Sequence, residues 1–186
     1  MELLEYYLYI DVYHELIAQS DARAAKLSSI LIYPYQNLSF NSSTRDLTRM
    51  LGKPNHKLKL QDTLTEQLLF YRKIISNYKA RVEFHFREGR LFYARRTFRY
   101  TSDQERNNII AEISSKYLGN GELNAQVEKI VDPQGHALVI NRGAYLAIDY
   151  LDIQGPIFSQ LRNRKVASPS APESDSGAND EISRVI

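Results

Sequence analysis

Cysteine and tryptophan are both absent from this chain of 186 residues. Without cysteine, the chain cannot form disulfides, Cys-ligated zinc sites, iron–sulfur clusters or a cysteine nucleophile. No apolar run approaches the roughly 20 residues that a membrane-spanning helix needs. The first five residues include two glutamates, whereas a signal peptide begins with positive charge. These absences predict a cytoplasmic protein that makes no use of a membrane.

What the chain does have is enough apolar surface to fold. Hydrophobic residues make up 43% of it, which is too many for a disordered chain. Residues 166–186 differ, because they are rich in Pro, Ser and Gly and hold four carboxylates against one arginine. We therefore expect a single compact α+β domain over residues 1–165 and a disordered polar tail over 166–186.

Two helices are predicted in the first third of the chain. Leu4, Leu8, Val12 and Leu16 recur at every fourth position and predict a helix over residues 1–27. A short strand is expected at 30–33, ahead of a proline. A second helix should begin after Ser42 or Ser43 as the N-cap and end at Gly52.

Three strands are predicted next, at residues 67–75, 78–87 and 90–100, with turns at 76–77 and 88–89. The middle strand alternates cleanly between apolar and polar side chains. A three-residue second turn would pair Phe84 with Phe92 and Val82 with Ala94, which matches apolar with apolar side chains. Phe92, Ala94 and Phe98 would then join the same core.

A similar order of elements is predicted for the second half. Ser102 and Glu105 form a capping box that begins a helix, and Gly119 ends it. Strands should follow at 125–131, 137–140 and 144–151, and a last helix at 156–165. The fold class is therefore α+β, with antiparallel three-stranded meanders each preceded by a helix. A diverged tandem repeat would divide it into halves 1–100 and 101–165.

Residues 43–54 read Ser-Thr-Arg-Asp-Leu-Thr-Arg-Met-Leu-Gly-Lys-Pro and precede a meander. This stretch resembles the tandem helix–meander domains of the β-lactamase inhibitor protein and of small outer-membrane assembly lipoproteins. The resemblance implies a non-catalytic protein that binds other proteins on the exposed face of its sheet. The element order is also similar to that of small cytoplasmic secretion chaperones, although those are usually acidic.

No motif for catalysis, metal binding or phosphate binding is present. The histidines at 14, 56, 85 and 136 have no metal-ligand spacing, and no Gly-x-Ser-x-Gly elbow exists. Asp149 and Asp152 could act as an acid–base pair at a strand end, or could simply be solvated there. We expect no enzymatic activity, no cofactor and no metal.

One surface suggests a binding function, namely the outer face of the hairpin at 78–100. It should be exposed and rich in arginine and aromatic side chains, which are frequent in binding hot spots. The predicted contact residues are Arg81, His85, Arg87, Tyr93, Arg95 and Arg99. They predict an adaptor, chaperone or immunity-type module that binds another protein. Weak nucleic-acid binding, an enzyme without a recognisable motif, a merely solvated face and a homo-oligomer stay open as alternatives.

Overall fold

The computed structural model describes residues 11–60, 64–119 and 121–163, and these residues form four helices and eight strands. The helices are α1 (Asp11–Asp21), α2 (Thr44–Leu51), α3 (Asp103–Leu118) and α4 (Pro156–Asn163). The strands are β1 (Ala24–Leu27), β2 (His56–Lys59), β3 (Gln67–Ile75), β4 (Tyr78–Arg87), β5 (Arg90–Phe98), β6 (Glu128–Val131), β7 (Ala137–Arg142) and β8 (Leu146–Leu151).

All eight strands form one sheet in the order β1-β6-β7-β8-β5-β4-β3-β2. Its pairings are antiparallel except for β1 with β6, where Ala24 lies opposite Glu128. The successive strands β3–β5 and β6–β8 form two meanders, and these meet where β5 pairs with β8. The fold is therefore α+β, with a mainly antiparallel sheet.

Alternate side chains of the sheet enter two separate apolar cores, one on each face. On the first face the core includes Leu47 of α2 and Ile109 of α3, together with Phe84 of β4. On the second face α1 and α4 cover the sheet, with Leu16 and Phe158 buried against it. The molecule thus has three layers, because each face of the sheet needs helices to exclude water.

Polar contacts fasten the helices of the second face. Lys129 of β6 donates to the carbonyl of Ser20 at 2.7 Å, at the C-terminal end of α1, and this carbonyl also accepts from Arg23 N. Arg162 of α4 pairs with Asp21, with Nη2 and Oδ1 2.7 Å apart. These contacts fix α1 across the strands and so determine which part of the sheet it covers.

The elements that carry strong local signals are confirmed. Ser43 and Ser102 are N-caps of α2 and α3, each with a complete capping box, and Gly52 and Gly119 end these helices. The strands predicted at 67–75 and 78–87 have the predicted bounds, and β5 ends at Phe98 rather than at residue 100.

The N-terminal predictions are partly wrong. Residues 24–27 form β1 rather than the end of a helix, because they pair in parallel with β6. No strand forms at 30–33, and the strand β2 was not predicted. Residues 1–10 of the predicted first helix lie outside the described residues, as does the tail at 166–186.

The predicted register of the second hairpin is also wrong. Its turn has two residues, Glu88 and Gly89, with φ of 51° and 71°, and not three. Phe84 lies opposite Ala94 instead of Phe92. Positive φ at both central residues gives the twist that a two-residue hairpin turn requires.

A bulge in β5 explains the difference. Pairing shifts between His85 and Phe86, so β5 contains one residue more than β4 does over this stretch. Leu91 belongs to the first core, whereas Phe92 and its neighbour Tyr93 both belong to the second. The prediction that Phe92 joins Phe84 in one core is therefore wrong, and the predictions for Ala94 and Phe98 are confirmed.

Candidate functional site

The face of β4 and β5 that was predicted to be exposed is partly the floor of the second core. Tyr13 of α1 packs against His85 and Tyr93, with ring centroids 5.9 and 6.1 Å away. His85, Tyr93 and Glu83 are fully buried. Exposure of His85 and Tyr93 was therefore a wrong prediction, because α1 crosses this part of the sheet.

The first buried polar group, the His85 cluster, comprises Tyr13, Thr65, Arg81, Glu83 and His85. The hydroxyl of Tyr13 bonds to Thr65 Oγ1 and lies 2.8 Å from His85 Nδ1. On the other side of the ring, His85 Nε2 is 3.9 Å from Glu83 Oε2. Glu83 in turn forms an ion pair with Arg81, whose Nη2 lies 2.6 Å from Oε1. Arg81 thus serves as the partially exposed counter-ion of a buried carboxylate.

A second group, the Asp149 cluster, lies where β5 and β8 pair. Arg95 donates to both carboxylate oxygens of Asp149, at 2.6 and 3.2 Å. Tyr93 donates to Asp149 at 2.6 Å, and Asn141 does so at 2.7 Å. Arg23 then donates to Asn141 Oδ1 at 2.6 Å. The positive charge of Arg95 is therefore paired with the carboxylate of Asp149 inside the protein.

Burial changes the acid–base behaviour of both aromatic groups in the His85 cluster. Loss of water raises the pKa of Tyr13 above its ordinary value, although the hydrogen bond with Thr65 lowers it. Loss of water also lowers the pKa of the His85 imidazole, and the neighbouring Glu83 only partly offsets this effect. A neutral tyrosine and a neutral histidine are the forms that the interior favours at neutral pH.

The six predicted contact residues are therefore not one exposed surface. His85 and Tyr93 are buried, and Arg95 is in the ion pair with Asp149. Arg81 is half-buried beside Glu83. Arg87, also half-buried, donates to the carbonyl of Leu64 at 3.2 Å. Arg99 alone of the six is an exposed side chain, and its guanidinium lies 5.6 Å from the ring centroid of Tyr145.

Two of the six nevertheless line a cavity that faces solvent. This basic groove, of about 690 Å³, lies at the end of the sheet where β3 and β5 end and β4 begins. Its lining residues are Arg72, Lys73, Ile74, Lys79, Ala80, Arg81, Thr97, Arg99 and Tyr100. Five of these are cationic and none is acidic, but Lys73 donates to the carbonyl of Leu51 on the other face of the sheet. Four cations therefore face the groove, which is suited to an anionic ligand.

The groove also has an apolar component. Ile74 is 72% exposed and Tyr100 is 87% exposed, which is unusual for side chains of this size. Ile74 lies directly opposite Lys79, and Arg72 opposite Arg81, in the pairing of β3 with β4. Since directly opposite residues share a face of the sheet, cations and an exposed isoleucine stand side by side.

Sequence reasoning missed the part of the groove that β3 contributes. The prediction treated β4 and β5 alone and left out Arg72 and Ile74. The sequence did contain the information needed to find them. A two-residue turn at 76–77 places Arg72 and Ile74 on the same face of the sheet as Arg81 and Lys79. Nothing in the local sequence of β4 and β5 indicated that α1 covers His85 and Tyr93.

The carboxylates proposed as an acid–base pair have different partners. Asp149 binds Arg95, whereas Asp152 lies 3.9 Å from His136, whose Nδ1 is 3.0 Å from Asp132. Burial raises the pKa of Asp152, and the nearby His136 opposes this. Within the described ranges, no group of three His, Asp or Glu side chains has an arrangement that could hold a metal ion.

A second cavity, of about 730 Å³, lies between α3 and residues 121–126. Its lining includes one acid and one base, Glu122 and Arg142, among mainly small and polar side chains. Because these two charges balance, the cavity favours neither anionic nor cationic ligands. The basic groove is therefore the better candidate site.

Fold and site together define an α+β protein with a basic, partly apolar groove at one end of its sheet. Compared with protein families, with curated proteins and with solved structures, the chain shows no match. Among the helices described, none has the length and apolar character needed to cross a membrane.

Proposed function

We propose that this protein is a non-catalytic binding module that holds an acidic segment of another protein in the basic groove. The observation that carries the proposal is the lining itself, in which four cations face the groove and no carboxylate is present. Arg81 is partly neutralised by Glu83, so Arg72, Lys79 and Arg99 supply the charge that a ligand would meet.

The apolar side chains favour a protein ligand over a nucleic acid. A nucleic acid would use the cations for its phosphates and could stack a base on Tyr100, but it has no use for an exposed isoleucine. An acidic peptide with an apolar side chain would use the cations, Ile74 and Tyr100 together.

The arrangement of titratable groups supports a non-catalytic role. His85, Tyr13 and Asp149 are among the most enclosed of them, and each is hydrogen-bonded within the protein. A general acid or base must reach its substrate, and these groups are covered by α1 and by the sheet. Their contacts support a structural role, which is to hold α1 and the two meanders together.

Capture of partners from native lysate, with and without nuclease, tests the proposal. We expect one protein to bind in both conditions and to be lost with the double variant Lys79→Glu/Arg99→Glu. Reversal of two contact charges places like charges against an acidic ligand and should weaken binding by at least about tenfold. Partners that vanish with nuclease would instead assign the groove to nucleic acid.

The matched control is Arg45→Glu/Arg90→Glu. These two arginines are also exposed, lie outside the groove, and change the net charge by the same amount. Equal loss of binding in both double variants would show that only net charge matters, and the groove proposal would be wrong.

We also propose that the two helix–meander units are diverged copies of one ancestral unit. Supporting this, α2 and α3 both have a Ser N-cap with a capping box and a Gly stop, and each precedes a meander. Related sequences would test this proposal. In some of them, the two units should be more similar to each other in sequence than they are in this chain.

A further inference from the structure

The basic groove lies beside a stretch of sheet edge that has no neighbouring strand in the described structure. β2 is the last strand of the sheet, and it pairs with β3 only from Gln67 to Phe70. β3 continues to Ile75 and is paired with β4 on its other side along its whole length. Within the described residues, residues 72–75 of β3 therefore have no neighbouring strand on the side away from β4.

The backbone groups that point outward from this edge can be identified. The carbonyl of Phe70 accepts from Asn55 N at 2.9 Å, and Arg72 N donates to Asn55 Oδ1 at 2.7 Å. Alternate residues of a strand direct their N–H and C=O to the same side, so those of Ile74 also point away from β4. Within the described residues, the N–H and C=O of Ile74 have no hydrogen-bonding partner on that side.

A free edge is a template for an added strand, and its side chains decide which strand it accepts. A second copy of this edge, added in parallel and in register, would bring Arg72 close to another arginine. Added antiparallel through Ile74, it would place Ser76 opposite Arg72 and so supply no carboxylate. Like charges across a strand pair are unfavourable, whereas carboxylates opposite these cations are favourable. The charges therefore favour an acidic strand over a second copy of this edge.

We propose that the acidic segment binds as a ninth strand alongside residues 72–75, with its backbone paired to Ile74. This inference rests on the proposed function and specifies how the ligand is held. In either strand direction, the residue opposite Ile74 and the residue opposite Arg72 are two positions apart and share the groove face. The ligand therefore carries an apolar and an acidic side chain two positions apart.

A fluorescein-labelled peptide with two repeats of Glu-Thr-Val-Thr is the probe, and fluorescence polarisation with the full chain gives its affinity. Glutamate and valine are two positions apart in this peptide, so both can face the groove. Two N-methylated versions carry the methyl on the valine amides or on the threonine amides. We expect one of the two to lose about tenfold in affinity and the other to bind unchanged, because only alternate amides face β3.

Ile74→Pro tests the same hydrogen bond from the protein side. Proline removes the outward N–H and is tolerated at an edge strand, whereas the control Ile74→Val keeps it. We expect about tenfold weaker peptide binding for Ile74→Pro and little change for Ile74→Val. An unchanged circular dichroism spectrum shows that the proline variant is folded; if it is not, the N-methyl series decides.

The outcomes separate this inference from the proposed function. If Lys79→Glu/Arg99→Glu abolishes peptide binding while both N-methylated peptides bind like the parent, the groove holds acidic segments without strand addition. That result overturns the inference and leaves the function standing. Failure of all three peptides to bind at 1 mM, roughly the weakest affinity of interest, overturns it as well, whatever the lysate capture shows.

Discussion

Arg95 of β5 donates two hydrogen bonds to Asp149 of β8, from Nε at 2.6 Å and from Nη2 at 3.2 Å. The pair lies where the two meanders meet, and the carboxylate is fully buried. Tyr93 and Asn141 supply two further donors, so the charge of Asp149 is well satisfied. Such a pair holds two strands in one register because any slip would leave a charge unpaired in the interior.

Loss of this carboxylate should destabilise the protein strongly. We expect Asp149→Ala to lower the free energy of unfolding by about 3–5 kcal/mol, since it leaves Arg95 without its partner. Urea unfolding followed by circular dichroism measures this. Glu112→Ala, an exposed change in the middle of α3, is the control and should stay within about 0.5 kcal/mol. A loss below about 1 kcal/mol for Asp149→Ala would contradict the importance of the pair.

The same pair makes Arg95 unsuitable for testing a binding surface. Arg95→Glu places a second carboxylate against Asp149 and should destabilise the protein at least as much as Asp149→Ala does. The charge-swapped variant Arg95→Glu/Asp149→Arg should recover only part of the stability, because Tyr93 and Asn141 lose their acceptor. Melting temperatures of the single and double variants check this order.

Stability should depend on pH through His85. Burial lowers the pKa of this group in the folded state below its ordinary value of 6.5, so the unfolded chain binds the proton more readily. The stabilisation from neutral His85 is therefore complete above pH 6.5 and is lost as pH falls through the folded-state pKa. The slope can reach about 1.4 kcal/mol per pH unit for one proton.

Urea unfolding at several pH values between 7.5 and 5 would show this slope in the native sequence. The variant His85→Gln should flatten it, whereas His56→Gln, at an exposed position of β2, should leave it intact. A slope that survives His85→Gln would assign the pH dependence to another group.

The N-cap of α3 should make a separate contribution to stability. Ser102 accepts from Glu105 N at 3.3 Å, and Ser102 N donates to Glu105 Oε2 at 2.7 Å. Ser102→Ala removes the acceptor and should cost about 1 kcal/mol. Ser115→Ala, at an exposed position within the same helix, should be neutral or slightly stabilising because alanine has the higher helix propensity. Chemical denaturation distinguishes the two.

The turn between β4 and β5 depends on a glycine. Gly89 has φ of 71°, where a side chain is strained even though the described residues place no atom within 4 Å of where its Cβ would stand. Gly89→Ala should therefore cost about 1 kcal/mol. Gly143 is equally open but lacks a positive φ, so Gly143→Ala should change stability much less. Equal effects at both positions would mean that backbone strain is not the cause.

Much of the fold could be predicted because its signals are local. The capping boxes at Ser43 and Ser102, and the alternation along β4, each involve residues close together in sequence. The register of β4 and β5 was not predictable by the same means. Apolar matching favoured pairing Phe84 with Phe92, and the bulge that moves Phe92 to the other core has no comparable signal.

The candidate site was only partly predictable, for a related reason. Alternation correctly grouped Arg81 and Arg99 on one face, and both line the groove. The part of that face around His85 and Tyr93 is covered by Tyr13 of α1, which is distant in sequence. Tyr13 meets His85 through tertiary packing, so sequence alone left His85 and Tyr93 among the exposed residues.

The parallel pairing of β1 with β6 has a consequence for synthesis on the ribosome. Ala24 emerges early, but its partner Glu128 is translated only after both α3 and the whole first meander. Until β6 has been translated, β1 has no strand to pair with. The edge of β5 that faces away from β4 is likewise unpaired until β8 has been translated. Completion of the sheet therefore waits until β6, β7 and β8 have been translated, and a ribosome that stalls within α3 would carry a nascent chain whose β5 edge is unpaired.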